Sequence, residues 1–145
     1  MAKASNDAPV RPSVSSLTQQ WKAEQQALRG RLIVRPLRPL PRFVAGADMA
    51  YSSDKKTAHA SALVYDREAR RVVELVHVTR PVDAPYVPSY LSFREGPALL
   101  EAIRKLKHPF GVVMFDGQGY AHPRRCGLAS HVAIRLDVPA VGVAK

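Results

Sequence analysis

Three acidic residues in this sequence, Asp48, Glu95 and Asp116, are each introduced by apolar residues. Their surroundings are FVAGADMAY, YLSFREGPALL and GVVMFDGQG. Burying a carboxylate in such surroundings is costly unless the charge is paired or binds a cation. Carboxylate oxygens are hard ligands that suit Mg²⁺ or Mn²⁺, and these ions activate water and neutralise charge in phosphoryl transfer. The three acids therefore suggest a metal-dependent phosphodiesterase.

Asp48 falls within a strand-like run from Phe43 to Tyr51. Alternate residues of a strand share a face, so its neighbours on that face are Val44, Gly46 and Ala50. Their size leaves room beside the carboxylate for a metal ion and a phosphate. The alternative is a buried aspartate paired with an arginine or a lysine, although no basic residue alternates with Asp48 in the local sequence.

Glu95 has a structural explanation as well as a catalytic one. Ser92 followed three residues later by Glu95 is the pattern of a capping box, in which the glutamate only caps a helix. Pro97, however, fits the first turn of a helix better than the fifth helical position that this cap implies. We therefore expect the helix to begin near Gly96, with Glu95 just before its first turn and available to a cation.

Asp116 ends a short apolar run that begins at Gly111, and it is followed by Gly117 and Gly119. Such a run predicts a strand buried on both faces, and open sheets bind ligands at the carboxyl edge of their parallel strands. The glycines allow the backbone to approach a ligand closely. A plain turn is the alternative for DGQG, but a turn alone does not require an acid at the end of an apolar strand.

Basic and aromatic side chains stand near these acids in the sequence. His122 begins the motif HPRR, which either contacts a phosphate or an ion or forms a solvated turn. Tyr86 and Tyr90 flank Pro88 on a stiffened loop, and rigid aromatic rings can replace a neighbouring base when one nucleotide leaves the stack. Core packing is the ordinary alternative for these tyrosines.

The hydrophobic pattern predicts a disordered tail, residues 1–15, and one α/β domain, residues 16–145. A helix is predicted from Ser16, with a capping box to Gln19, to about Ile33. Three strand-like runs with short connections predict an antiparallel meander over 43–51, 59–66 and 72–79. The later predicted elements are a helix ending at Lys107, a strand 111–116 parallel to the first strand, a helix 126–136 and a strand 140–144.

Composition narrows the class of protein. The chain has 145 residues, enough for one domain, and 46% hydrophobic content, enough for a real core. Its 22 Lys and Arg against 12 Asp and Glu give a formal net charge of +10, which favours nucleic acid as the partner.

With Cys126 as the single cysteine, no intramolecular disulfide forms, and no apolar run is long enough to span a membrane. No secretory signal is evident, so we expect a cytoplasmic protein, with no protein partner indicated.

The sequence resembles the endonuclease V family from about Ser16 to Lys145, in four motifs taken together: VAGADMAY, PYVPSYLSFREGPALLEAI, FDGQGYAHPRRCGLASH and VPAVGVAK. The resemblance implies a ribonuclease H-like fold, an α/β architecture in which a mixed sheet combines an antiparallel meander with parallel strands and flanking helices. It also implies Mg²⁺-dependent cleavage of nucleic acid, with Mn²⁺ as a substitute. The implied substrates are DNA with deaminated bases, chiefly inosine, or inosine-containing RNA. The cut would fall at the second phosphodiester 3′ to the lesion and leave 3′-hydroxyl and 5′-phosphate ends.

The resemblance also implies roles for individual residues. The metal-binding acids of the family match Asp48, Glu95 and Asp116, and its catalytic lysine near the scissile phosphate matches Lys145. Its wedge tyrosine, inserted where the damaged base is flipped out, matches Tyr86. Ser89 departs from the glycine that is usual in the family. The lesion pocket, built largely of backbone groups, is implied to be lined by Leu91, Gly117, Gly119, His122 and Gly127.

Family members continue well beyond the motif GVAK, at which this chain ends. The resemblance therefore implies a sheet that is truncated at its C-terminal side and a cleft that is partly unbuilt. Two functions remain open on this basis. One is a repair endonuclease that hydrolyses DNA, and the other is a catalytically incomplete fragment that binds nucleic acid in a salt-sensitive way without turnover.

Overall fold

The computed structural model describes residues 12–144 of the chain. Residues 1–11, which make up most of the expected tail, and Lys145 lie outside the described residues. None of the helices within 12–144 combines the length and the apolar character needed to cross a membrane. The elements are α1 (Val14–Arg29), β1 (Phe43–Tyr51), β2 (Thr57–Asp66), β3 (Arg71–Pro81), α2 (Leu91–Lys105), β4 (Val112–Asp116), α3 (Leu128–Leu136) and β5 (Ala140–Val143).

Helix α1 begins at Val14, earlier than the expected start at Ser16. Its N-cap is Ser13, whose hydroxyl accepts a hydrogen bond of 3.2 Å from the backbone N–H of Ser16. The capping box predicted from Ser16 is therefore wrong, because the serine-rich sequence offers an earlier cap of the same kind. The helix ends at Arg29 rather than near Ile33.

The five strands form one mixed sheet in the order β3-β2-β1-β4-β5. Strands β1, β2 and β3 are antiparallel neighbours, whereas β4 pairs parallel with β1 and β5 pairs parallel with β4. Each parallel connection contains a helix, α2 or α3, as a crossover requires. The predicted meander and the predicted parallel pairing of the 111–116 run are confirmed. The mixed α/β sheet with flanking helices is the architecture that the resemblance implied.

Alanines along one face of the meander allow the helices to pack closely on the sheet. Ala45 and Ala47 of β1 and Ala60 and Ala62 of β2 are at most 8% exposed. Successive strand residues point to opposite faces, so these alternate alanines form one smooth surface. They share a core with residues of α2, β4 and α3, including Leu99, Ile103, Phe115, Leu128 and Val132.

Helix α2 begins earlier than the sequence predicts. It starts at Leu91 and contains Pro97 as its seventh residue. The expected start near Gly96 is wrong, and so is the capping-box alternative, because Ser92 is buried inside the helix rather than at its N-cap. Proline lacks the N–H that would bond to the carbonyl four residues earlier. Burial of the apolar face of α2 outweighs the loss of that hydrogen bond. Glu95 therefore lies within the helix instead of just before its first turn.

Candidate metal centre and recognition loops

Asp48 and Asp116 lie side by side, toward the carboxyl ends of two neighbouring parallel strands. The register pairs Ala47 of β1 with Phe115 of β4, so the next residues of the two strands are the two aspartates. Both residues are exposed, and both line a cavity of about 450 Å³. Neither carboxylate is buried, although both follow apolar residues in the sequence. Their convergence at a sheet edge follows the expectation from the strand pattern.

The cavity beside the two aspartates is otherwise mostly apolar. Leu75 and Met114, which line it, are 54% and 43% exposed on the sheet face opposite the alanine core. Asp48 accepts a hydrogen bond of 2.8 Å from the backbone N–H of Met49. No arginine or lysine within residues 12–144 forms an ion pair with Asp48, so the alternative of a structural ion pair gains no support there.

Glu95 projects from α2 and is oriented by a tyrosine at the end of β1. The Tyr51 hydroxyl donates a hydrogen bond of 3.1 Å to Oε1 of Glu95. Burial raises the pKa of Glu95, and the negative charges of Asp48 and Asp116 raise it further, while the Tyr51 hydrogen bond opposes the rise. The three carboxylates are thus close enough to act on one another electrostatically. Sequence reasoning missed Tyr51, although it stands on the same strand as Asp48.

Arg94 connects this acidic centre to the loop formed by residues 84–90. Its guanidinium lies 4.8 Å from the centroid of the Tyr51 ring, and its Nε donates a hydrogen bond of 3.2 Å to the Tyr51 hydroxyl. A terminal nitrogen of the same guanidinium donates a hydrogen bond of 2.8 Å to the carbonyl of Ala84. Sequence reasoning also missed Arg94, and its position immediately before Glu95 was the signal available.

The chemistry of the three acids fits a hard divalent cation, because all of their donor atoms are carboxylate oxygens. As the side chains stand, no group of three His, Cys, Asp or Glu within residues 12–144 could hold a metal ion. Glu95 faces Tyr51, whereas Asp48 and Asp116 line the cavity. The repulsion that raises the pKa of Glu95 is relieved when a cation lies among the acids. Carboxylate oxygens are thus the donors that Asp48, Glu95 and Asp116 could offer to a divalent cation.

The loop of residues 84–90 presents Tyr86 to solvent, with 65% of this residue exposed. After Tyr86 the chain makes a turn that is closed by a 3.0 Å hydrogen bond from the N–H of Tyr90 to the carbonyl of Val87. Ser89 lies in this turn with a φ of 69°. A positive φ at the third position of a turn, after proline, is typical of a type II turn and favours glycine. The serine therefore holds a conformation that is strained for its residue type.

The loop from Gly117 to Gly127 is held together by backbone contacts. The N–H of Gly117 donates a 2.9 Å hydrogen bond to the carbonyl of Val143, and the N–H of Gly127 donates one of 3.0 Å to the carbonyl of Gly119. A Cβ atom on Gly127 would lie 2.2 Å from the carbonyl oxygen of Gln118. Only glycine fits at that position, so the backbone of this loop is packed against itself.

His122, expected to line the lesion pocket, is buried and uses both ring nitrogens within the protein. Nδ1 accepts a 3.1 Å hydrogen bond from the N–H of Arg124, so Nε2 carries the proton and donates a 2.9 Å hydrogen bond to the carbonyl of Ser89. Burial lowers the pKa of His122, Arg124 adds to that effect, and the Ser89 hydrogen bond opposes it. This arrangement argues against the expected contact of the ring nitrogens with a phosphate or an ion, and equally against a solvated turn. Leu91, the remaining expected pocket residue, is partly buried at the start of α2.

A larger cavity, of about 540 Å³, is lined by residues of α1, α2 and α3 and contains none of the three acids discussed above. Its own acids are engaged with basic neighbours. Glu24 forms an ion pair with Arg135, and Glu101 forms one with Lys105. The smaller cavity, in contrast, is lined by two of the three predicted acids, Asp48 and Asp116. The smaller cavity is therefore the candidate site.

Known proteins resemble the chain over most of its length. The family model described as Endonuclease V matches residues 26–145. The endonuclease V of Roseiflexus sp. (strain RS-1) is 43% identical over 124 residues, which cover 86% of this chain and 55% of that protein. The crystal structure of the endonuclease V of Streptomyces avermitilis is similar with a TM-score of 0.83 and 38% identity, over 95% of this chain and 60% of that one.

A nucleic-acid complex is among the similar structures. The endonuclease V of Ciona intestinalis, bound to a 24mer DNA containing an inosine followed by a ribo-adenosine, matches with a TM-score of 0.82 and 28% identity. The match covers 91% of this chain and 59% of that one. The present chain spans about half the length of the curated relatives that it matches, 55% for the Roseiflexus protein.

Proposed function

The chain belongs to the endonuclease V family, and we propose that it is a cytoplasmic, metal-dependent repair endonuclease. It recognises deaminated bases, chiefly inosine, in DNA and hydrolyses the second phosphodiester bond 3′ to the lesion, leaving 3′-hydroxyl and 5′-phosphate ends. One observation carries the proposal: Asp48 and Asp116 lie side by side at a sheet edge, within electrostatic range of Glu95.

The carboxylates of Asp48, Glu95 and Asp116 would hold Mg²⁺, with Mn²⁺ as a substitute. When bound, such an ion activates water for attack on phosphorus and balances charge on the phosphate oxygens. The Tyr51 hydroxyl limits the orientations open to Glu95 through its hydrogen bond. Lys145 is the residue that we assign to the developing negative charge at the scissile phosphate.

Recognition of the damaged base rests on two loops. We assign the exposed Tyr86 to the gap that an extruded nucleotide leaves in the stack. The 117–127 loop, whose backbone is packed against itself at Gly127, is the second loop that we assign to the extruded base. The inosine-containing DNA bound to the Ciona intestinalis relative supports a substrate of this class. Backbone contacts around a base do not by themselves select deoxyribose, so inosine-containing RNA is a second candidate substrate.

The proposal is tested by incubating the chain with Mg²⁺ and a duplex that carries one inosine. The same duplex with guanosine in that place is the control. We expect one cut, at the second phosphodiester 3′ to the inosine, and no cut in the control. Asp116→Asn should bind the inosine duplex without cutting it. If the chain is folded by circular dichroism and binds the duplex but cuts nothing with Mg²⁺ or Mn²⁺, catalysis is excluded and binding alone remains.

A further inference from the structure

Three side-chain donors converge on one backbone oxygen, the carbonyl of Ser89. The donors are Nε2 of Gln25 at 3.1 Å, Nε2 of His122 at 2.9 Å and a terminal guanidinium nitrogen of Arg124 at 2.8 Å. A carbonyl oxygen has two lone pairs, so three donors exceed its usual complement. This convergence connects α1, the 84–90 loop and the 117–127 loop at a single atom.

Gln25 joins these segments from the interior of the protein. It is fully buried, with 0% of its surface exposed, although it is a polar residue on α1. Its Nε2 also donates a 3.3 Å hydrogen bond to the carbonyl of Cys126, and its Oε1 accepts a 2.6 Å hydrogen bond from Nε of Arg124. Both ends of the amide are therefore used, as a buried amide requires.

Arg124 is fixed on three sides. Its Nε donates to Gln25, a terminal nitrogen donates to Ser89, and its guanidinium carbon lies 4.3 Å from the centroid of the Tyr90 ring. The stacking and the planar fork of donors are properties of arginine that lysine cannot reproduce. Arg124 therefore holds both the turn and the residue that precedes α2.

Ser89 needs such support because its φ of 69° is unfavourable for a residue with a Cβ atom. The other end of the same loop is held by Arg94, which donates to the carbonyl of Ala84. Tyr86 lies between these two anchored points and is itself exposed. The direction in which Tyr86 projects is thus set by contacts at both ends of its loop.

We propose that Gln25 and Arg124 are positioning residues for lesion recognition, which hold the Ser89 carbonyl and so fix the loop that carries Tyr86. The inference rests on the proposed function, since it assigns the clamped loop to the discrimination between a damaged and an ordinary base. It makes α1 a part of the recognition apparatus, although α1 carries none of the three acids. We call the contacts of Gln25, His122 and Arg124 with Ser89 the Ser89 clamp.

The test compares Arg124→Gln with Arg125→Gln, since each removes one positive charge from neighbouring positions. Arg125 is exposed and lies against Tyr120 outside the Ser89 clamp. The dissociation constants for a duplex with one inosine and for the matched guanosine duplex are measured for each variant. Both variants should bind the guanosine duplex more weakly to a similar extent, because each loses one charge. Only Arg124→Gln should reduce the preference for inosine, by about tenfold.

The outcomes separate this inference from the proposed function. If the unaltered chain shows no preference for inosine, the proposed function fails. Suppose instead that the unaltered chain prefers inosine and that Arg124→Gln shows the same preference for inosine as Arg125→Gln. The Ser89 clamp then has no part in recognition, and the inference is overturned. Arg124→Lys, which keeps the charge but not the fork of donors, replaces Arg124→Gln if circular dichroism shows that the latter is unfolded.

A second variant distinguishes positioning from a direct contact between Arg124 and nucleic acid. Glycine adopts a positive φ without steric cost, so Ser89→Gly needs less support from the Ser89 clamp. In the Arg124→Gln background, Ser89→Gly should restore part of the preference for inosine. If the preference is not restored, Arg124 acts by direct contact and the positioning role is overturned.

Discussion

The hydroxyl of Tyr51 lies 3.1 Å from Oε1 of Glu95, which joins the end of β1 to the N-terminal half of α2. Strand β1 therefore supplies Asp48 and also, three residues later, the group that orients the acid of α2. Tyr51 contacts the Arg94 guanidinium as well, through its hydroxyl and its ring. The acidic centre is thus built from the regular elements of the fold, and Arg94 attaches the 84–90 loop to it.

Tyr51→Phe is expected to lower the rate of metal-dependent cleavage about tenfold, because Glu95 loses the hydrogen bond that orients it. The fold should be retained, since the aromatic ring keeps its contact with Arg94. Single-turnover cleavage of an inosine duplex measures the effect. Tyr65→Phe, which removes a tyrosine hydroxyl from the neighbouring strand β2, is the matched control. Equal rates in the two variants would show that orientation of Glu95 by Tyr51 does not limit the reaction.

Mg²⁺ or Mn²⁺ is expected to raise the melting temperature of the chain, since a ligand that binds only the folded state stabilises it. At a hundredfold excess over the dissociation constant the gain is about 2.7 kcal/mol. Asp116→Asn should reduce the rise, whereas Glu101→Gln, which removes an acid already paired with Lys105, should preserve it. Differential scanning fluorimetry at constant ionic strength measures the shift. A rise that survives Asp116→Asn would place the ion elsewhere.

The free energy of unfolding is expected to fall as the pH falls from 6.5 to about 4 because of His131. Burial lowers the pKa of His131 from 6.5 to about 4, and Arg135 adds to the lowering, while Glu24 opposes it. The folded state keeps the ring neutral while the unfolded chain takes up a proton. The stabilising contribution is therefore complete above pH 6.5 and is lost by about pH 4. The loss amounts to about 3 kcal/mol, at about 1.4 kcal/mol per pKa unit.

Urea denaturation at pH 7 and pH 5 measures this contribution. His131→Phe should flatten the pH dependence, because the phenyl ring keeps the edge contact with Phe93 but does not titrate. His77→Phe, at an exposed histidine of β3, is the control for the exchange of a histidine for a phenylalanine. If the pH dependence of His131→Phe equals that of the unaltered chain, another group is responsible.

Ser89→Gly is expected to stabilise the chain by up to about 1 kcal/mol, since it relieves a positive φ that a Cβ atom disfavours. Thermal unfolding monitored by circular dichroism measures the change. Ser53→Gly is the control, because Ser53 is exposed in a turn and has no positive φ. The control should be neutral or slightly destabilising through chain entropy. A loss of stability in Ser89→Gly would show that the serine side chain contributes more than its strain costs.

The strands could be predicted because their signal is local. The run that became β1 was predicted with the bounds observed, Phe43–Tyr51. The runs are bounded by polar segments such as SSDKK and REAR, and this pattern needs no knowledge of the partner strand. The parallel pairing of β4 with β1 followed from the helix that separates β4 from the meander. Asp48 and Asp116 could therefore be placed at one edge of the sheet.

The contacts that complete the site could not be predicted, because they join segments distant in sequence. Pro97 indicates a late start for α2 on local grounds, and only burial against the sheet overrides it. The hydrogen bonds from Tyr51 to Glu95 and from Arg124 to Gln25 do not depend on the hydrophobic periodicity of either segment, so that pattern does not reveal them. His122 looked like a loop histidine for the same reason, since its burial depends on neighbours beyond its own motif.

The strand order also dictates when the two aspartates meet during folding. A connection of five residues joins β1 to β2, whereas Val44 of β1 pairs with Val112 of β4, 68 positions later. Loop-closure entropy favours the short-range pairs of the meander over this distant pairing. The meander can therefore form while Asp48 has no second carboxylate beside it. The electrostatic repulsion between Asp48 and Asp116 then arises only when β4 closes the sheet, so early folding proceeds without it.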